Sequence, residues 1–185
     1  MDPVPGLFVI WEGARSAEER ILADIRANFD VVFVKEMEFP CRPSEGYRRF
    51  YQETLPDEWR KVRACGTGPF LVVVVRDRSP ELVPPERRDG NPAAWRNRRF
   101  IDFKEKYRGW TGRNHRVHST MDDYEFARDI RRLTGRTASE WAGGVPAGDL
   151  RIDLPPLNPA LVRKSFVGRL LETIALWRRR RAGAN

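Results

Sequence analysis

The sequence is short of cysteine and of histidine. Its two thiols are Cys41 and Cys65, and its two imidazoles are His115 and His118. Two cysteines supply neither a disulfide framework nor a metal quartet, so both read as free thiols in a reducing compartment. No apolar run approaches the roughly 18 residues of a membrane span, and the first residues lack the basic-then-apolar pattern of an export signal. The expectation is a cytoplasmic protein. No internal repeat is present, and no serine sits in the strand-elbow setting of a Ser/His/Asp hydrolase.

What is present is enough for a core. The chain has 185 residues, 41% of them hydrophobic and 11% aromatic, which argues against wholesale disorder and for one domain with an extension. The formal net charge is +8. That balance favours anionic partners, whether nucleotide, nucleic acid, acidic polymer or anionic lipid, without choosing among them. Arginine heavily outnumbers lysine, and its planar fork suits bidentate contacts to phosphate.

The apolar patterning predicts a compact alternation of elements. Leu7 to Trp11 and Val31 to Val34 read as short buried strands. Between them, Ser16-Ala17-Glu18-Glu19 reads as a capping box, with Ile21, Leu22, Ile25 and Phe29 following at helical spacing. Arg48 to Ala64 is expected to be helical on either side of Pro56. Phe70 to Val75 is β-branched and apolar on both faces, hence a central strand. Ser79 to Arg99 carries four prolines without periodicity and reads as a long surface loop. Arg116 to Ser119 is a fourth strand. Thr120 to Asp123 reads as a second capping box, opening a helix with Phe126, Ile130 and Leu133 on one face and Gly135 as its stop. The expected fold is α+β: a ferredoxin-like βαββαβ antiparallel sheet with helices on one face, plus a C-terminal helix.

The boundaries drawn are a domain over 1–142, a linker over 143–157 and an amphipathic basic helix over 158–181. Asn158-Pro159 is a cap followed by a proline in the first helical position. Leu161, Val162, Phe166, Leu170, Leu171, Ile174 and Trp177 form an apolar stripe, and Arg178, Arg179, Arg180 and Arg181 end it. Such a helix packs on the domain or on a second subunit, or meets nucleic acid or a membrane surface.

His118 is the candidate for chemistry, with a satisfied structural histidine as the other reading of the same local context. It ends a short apolar segment, is followed by Ser119 and Thr120, and precedes a helix. Neutral imidazole is a nucleophile near physiological pH, and a helix N-terminus favours negative charge. A phosphate is the natural occupant of that setting.

Read together, the segments resemble nucleoside diphosphate kinases over roughly residues 7 to 135. The strand Phe8-Val9-Ile10-Trp11, a helix ending at Phe29 and the strand Val31-Val32-Phe33-Val34 are similar to that family's opening elements. Phe50-Tyr51-Gln52-Glu53, Gly68-Pro69-Phe70, Tyr107-Arg108-Gly109 and Arg113-Asn114 before His118-Ser119-Thr120 resemble its later motifs in order. The resemblance implies ping-pong transfer from a nucleoside triphosphate, through a phosphohistidine at His118, to a nucleotide or another small phosphorylated acceptor. It implies Asp129 holding the other ring nitrogen and Thr120 bonding near the imidazole or phosphate. Arg108 would neutralise the transferring group, Asn114 would bind ribose or phosphate, and Tyr51 would lie near His118. It further implies Mg²⁺ on the bound phosphates and a homo-oligomer.

The chain departs from the family at defined places. The family's first-strand lysine is replaced by Trp11-Glu12-Gly13, with Arg15 the nearest cation, and the glycine after the histidine is Ser119. One residue is added between Asn114 and His118. Trp59 stands near the place of the base-supporting phenylalanines. Arg96, Arg98, Arg99, Lys104 and Lys106 form a basic segment able to rebuild a phosphate site from another direction. Two other classes follow if catalysis is lost: a nucleotide-binding interaction module, or a basic protein binding nucleic acid or a membrane surface. No protein-built metal site is expected.

Overall fold

The computed structural model describes residues 2–52, 58–84, 94–112 and 115–157, together with Ile174. Strand β1 (Val4–Ile10) is buried across both faces from Leu7 onward. Successive side chains of a strand point to opposite faces. Leu7, Val9 and Trp11 therefore join one core cluster, and Phe8 and Ile10 the other. Strand β3 (Phe70–Asp77) divides in the same way, Val72 and Val74 against Val73 and Val75.

These two strands form the centre of a four-stranded sheet. Strand β2 (Asp30–Met37) flanks β3, and the short strand β6 (Val117–Ser119) flanks β1. The order is β2-β3-β1-β6 and every pairing is antiparallel. This is the ferredoxin-like arrangement expected from the sequence, with the first and third strands of the unit inside. A separate ladder pairs β4 (Leu82–Val83) with β5 (Arg96–Asn97).

The two crossover helices share one face. Helix α1 (Glu18–Asn28) contributes Ile21, Leu22 and Ile25, and helix α4 (Arg98–Trp110) contributes Phe100 and Tyr107. The opposite face is covered as well, beyond the one-sided arrangement expected. Helices α2 (Pro43–Tyr51), α3 (Glu58–Cys65), α5 (Asp123–Thr134) and α6 (Ala138–Ala142) supply Tyr47, Phe50, Val62, Phe126, Ile130, Leu133 and Trp141 to it. A β1 that is apolar on both faces requires two covers.

Three local expectations are corrected. Ser16 caps nothing: Glu12–Ala17 is a 3₁₀ turn that runs straight into α1, whose N-cap is Ala17 with no side-chain bond. Carbonyls of that turn satisfy the amides instead, with Glu18 N–H bonded to Arg15 O. The second cap is at Asp122, not Thr120. The Asp122 side chain accepts from Glu125 N–H at 2.8 Å, while the Glu125 carboxylate accepts from Met121 N–H at 3.0 Å. The expected surface loop from Ser79 to Arg99 contains the β4–β5 ladder and the start of α4, a helix the sequence reading did not place. Asn97 caps it, its side chain accepting from Arg99 N–H at 3.1 Å. Gly135 ends α5 as expected, at φ 70° in the left-handed region that glycine adopts without strain.

Residues 143–157, expected as a linker, run back along the domain in their second half. Leu150 and Leu154 are buried in the core. Arg49 donates to the carbonyls of Leu154 and Pro155 at 2.7 and 2.8 Å. Asp153 N–H bonds Arg132 O at 2.8 Å. The expected C-terminal helix, with Arg178 to Arg181, lies outside the described residues apart from Ile174, which is helical and exposed.

Candidate functional site

Strand β6 pairs only with β1, so it is an edge, and His118 sits opposite Val9. Alternation sends Val117 and Ser119 to the α1–α4 face, where Ser119 donates to Phe100 O at 3.0 Å. The imidazole of His118 therefore emerges on the other face, between α2 and α5. Phe50 and Tyr51, at the end of α2, stand edge-on to the ring with centroids at 5.6 and 5.8 Å. Asp129 reaches it from the middle of α5.

The contact between His118 and Asp129 is short and dry. Nε2 lies 2.8 Å from Asp129 Oδ2; the His118 side chain is 11% exposed and Asp129 fully buried. Burial pushes the Asp129 carboxyl up, but the His118 hydrogen bond and then Arg128 outweigh it and hold it below the ordinary carboxylate range. A carboxylate only accepts, so Nε2 must be the N–H donor. In neutral imidazole the lone pair then belongs to Nδ1, and among the described residues Nδ1 has no hydrogen-bond partner. The pair thus fixes a tautomer that leaves the lone pair on Nδ1.

Three cations contact residues next to the imidazole. On α3, Lys61 Nζ donates to Tyr51 Oη at 3.1 Å and lies 4.2 Å from the centroid of that ring. Arg108 comes from α4 to the edge of β6, donating to Val117 O at 3.0 Å and pairing with Glu105 at 2.8 Å. Arg132, on α5, donates to Phe50 O. Next to β6, burial first and then Lys61 and Arg108 push the His115 imidazole down in pKa. Sequence reasoning did not single out Lys61, Arg128 or Arg132, and named Phe50 only as part of a motif. The spacing of Tyr124, Arg128 and Arg132 along one helix line with Asp129 beside them was the available signal for two of these.

The structure brings His118, Asp129 and Tyr51 together, with Arg108 close by. The other proposed site residues lie elsewhere. Thr120 is buried and closes the sheet end, its Oγ1 accepting from Leu7 N–H at 3.0 Å. Lys104 is buried with Nζ 3.2 Å from Met121 Sδ. Arg99 is at the far end of α4 from Arg108, bonded to Asp77, Ser79 O and Asn28 O. Arg15 pairs with Glu18 and, at 2.8 Å, with Glu36 on the β2 edge. Glu36 is three strand spacings from Val117, about 14 Å. Asn114 lies outside the described residues, as does the side chain of Trp59.

The structure also accounts for the glutamate at the end of β1. Glu12 Oε2 accepts from Thr67 N–H at 2.6 Å and Gly68 N–H at 2.7 Å, holding the turn into β3. Gly13 is needed there because a Cβ would lie 2.0 Å from Ala64 O, and Gly66 because its φ is +93° against the Glu12 side chain. The carboxylate is committed to backbone amides rather than aimed at His118.

No group of three or more His, Cys, Asp or Glu among the described residues could hold a metal ion. No helix among them is long and apolar enough to cross a membrane. A cleft of about 480 Å³ between the start of β1, α5 and α6 is lined by Arg76, Asp123, Phe126 and Trp141 and does not include His118.

No protein-family model matches the chain, and no curated protein matches it. Among solved structures, the chain is similar to nucleoside diphosphate kinases. The Aquifex aeolicus enzyme is 16% identical with a TM-score of 0.47, covering 70% of this chain and 93% of that one. An NDP kinase from Pyrobaculum aerophilum is 16% identical with a TM-score of 0.41, over 70% and 94%. The Borrelia burgdorferi nucleoside-diphosphate kinase, solved as a transition-state mimic with vanadate and ADP, is 12% identical with a TM-score of 0.39, over 69% and 84%.

Proposed function

We propose that the protein is a nucleoside diphosphate kinase-like phosphotransferase in which His118 Nδ1 carries the phosphoryl group. The observation that carries this reading is the buried Asp129 bond to Nε2, which leaves Nδ1 as the lone-pair nitrogen, without a hydrogen-bond partner among the described residues. In the first half-reaction that lone pair attacks the terminal phosphorus of a nucleoside triphosphate. The bond from phosphorus to the bridging oxygen breaks, and its electron pair leaves with the nucleoside diphosphate. The Nε2 proton stays in place, accepted by Asp129. The second half-reaction reverses these events onto a nucleotide or another small phosphorylated acceptor. Lys61 reaches the Tyr51 hydroxyl and Arg108 the backbone of β6, and Tyr51 and Phe50 stand edge-on to the imidazole. Mg²⁺ would come with the substrate, on the nucleotide's own phosphates; among the described residues no cluster of His, Cys, Asp or Glu would hold it.

A second reading has one specific observation in its favour. Glu12 stands where a phosphate-supporting cation would be useful and is spent on backbone amides. A nucleotide-binding module without turnover would tolerate that change. Incubation with γ-labelled ATP or GTP and Mg²⁺ separates the two. The phosphotransferase gives an acid-labile, alkali-stable label that is absent in His118→Ala and is discharged by added nucleoside diphosphate. Calorimetric binding with no label supports the silent module. Neither label nor binding contradicts both.

A further inference from the structure

The Asp129 carboxylate does not serve His118 alone. Arg128 lays its guanidinium along it, Nε to Oδ1 at 2.7 Å and Nη2 to Oδ2 at 3.1 Å. Oδ2 thus takes one bond from His118 and one from Arg128. All of this happens with Asp129 fully buried and Arg128 22% exposed. A planar fork on a carboxylate fixes its plane as well as offsetting its charge.

Among the described residues the surroundings contain no second anion on the imidazole. From α5 itself, Glu125 and Tyr124 lie near Arg128, and Arg132 lies within reach of both Arg128 and Asp129. From α2 comes Tyr51, and from α3 Lys61 above it. From β1 the facing residue is Val9, which is apolar. Glu125 is committed to Met121 N–H. Among the described groups, Asp129 is the anion bonded to the imidazole and Arg128 the cation bonded to that anion.

We propose that Arg128 is a positioning residue that acts through Asp129, holding the carboxylate in the plane of the imidazole and keeping the proton off His118 Nδ1. The inference rests on the reading of His118 as phosphoryl acceptor. An unshared carboxylate would favour imidazolium, which has no lone pair at Nδ1. By offsetting that charge, Arg128 keeps the nucleophile available at lower pH. The same offset weakens support for the cationic ring formed once phosphorus is bonded to Nδ1 and Nε2 keeps its proton. Arg128 therefore exchanges some phosphohistidine stability for a wider working pH range.

The test compares wild type with Arg128→Leu and Arg128→Lys in two measurements. The first follows the His118 ring by NMR across pH, without nucleotide. In Arg128→Leu the midpoint should move up by about one pH unit, the scale expected for loss of a charge near the ring at partial exposure. Arg128→Lys, which restores the charge without the fork, should return most of that shift. The second follows label from γ-labelled ATP and Mg²⁺. The Arg128→Leu profile should cross that of wild type, with less label on the acid side and more on the alkaline side. A folded Arg128→Leu protein with an unmoved midpoint overturns the proposal. So does a uniform loss of label, or a rise in KM for ATP alone, since those belong to a structural or phosphate-binding arginine. If Arg128→Leu does not fold, Arg128→Gln, which also removes the charge, takes its place, and an unmoved ring midpoint in that variant overturns the proposal. If wild type takes no label, the phosphotransferase reading fails by itself, while the ring midpoints still decide what Arg128 does to His118.

Discussion

Asp77 and Asp129 are both fully buried carboxylates, and each is paired with an arginine. Asp77, at the end of β3, accepts from Ser79 N–H at 3.0 Å and Asn97 Nδ2 at 2.8 Å, with Arg99 at 3.2 Å. Every one of those partners is a fixed donor that does not titrate near neutral pH. Asp129 instead has an imidazole as partner, and the other ring nitrogen has no hydrogen-bond partner among the described residues. Burial and an ion pair are common to both sites, so neither marks function. What distinguishes them is whether the carboxylate's partners are all fixed donors or include an imidazole, the proposed nucleophile.

Substitutions at the two carboxylates should separate structure from chemistry. Asp77→Ala removes a buried anion from Arg99, Asn97 and the Ser79 amide, and should cost about 3 kcal/mol in chemical denaturation. Its label per folded molecule should remain near that of wild type. Asp129→Asn should behave in the opposite way. It keeps the volume but loses the obligate acceptor for Nε2–H, so labelling of His118 should slow by about 100-fold. The accompanying stability loss should be about 1–2 kcal/mol. Equal effects on stability and labelling in both variants would erase the distinction.

The acid limb of stability sharpens the comparison further. Asp129 is held below its ordinary value in the folded state, chiefly by His118 against the upward push of burial. Between the folded value and the unfolded value, about 3.9, the unfolded chain binds more protons. Its contribution is therefore present above that range and is lost as pH falls through the folded value. Denaturation midpoints of Asp129→Asn should fall less steeply than those of wild type below about pH 4. A parallel decline would remove the coupling inferred here.

The smallest expected effect concerns the thiols. Burial raises Cys65 to about 11, against the opposing pull of Lys61, Arg108 and Arg116, and its Sγ donates to His115 O at 3.0 Å. Cys41 is only partly buried. In the native protein at pH 8, iodoacetamide should modify Cys41 well before Cys65. Rapid modification of Cys65 would show that the β6 neighbourhood opens readily.

Much of this was legible in the sequence where one periodicity dominated. The β-branched run from Phe70 to Val75 and the stripe Phe126, Ile130, Leu133 each admit one reading, and each forms the expected element. The resemblance rested on the order of its motifs and implied Asp129 as the partner of His118, and the two side chains meet. Helix α4 was hidden because charged residues separate Phe100, Phe103 and Tyr107 and a proline-rich stretch precedes them. The role of Glu12 could not be read either, since its partners are backbone amides 55 and 56 residues away. Arg99, Arg15 and Thr120 looked equally able to serve phosphate. Only tertiary pairing assigns them to Asp77, to Glu18 and Glu36, and to Leu7.

The most direct test identifies which atom carries the phosphoryl group. After labelling with γ-labelled ATP and Mg²⁺, alkaline hydrolysis releases phosphohistidine, and chromatography distinguishes the Nδ1 isomer from the Nε2 isomer. Asp129 holds Nε2, so the label should be recovered as the Nδ1 isomer, from the peptide containing His118. The Nε2 isomer, or label on His115, would contradict the account.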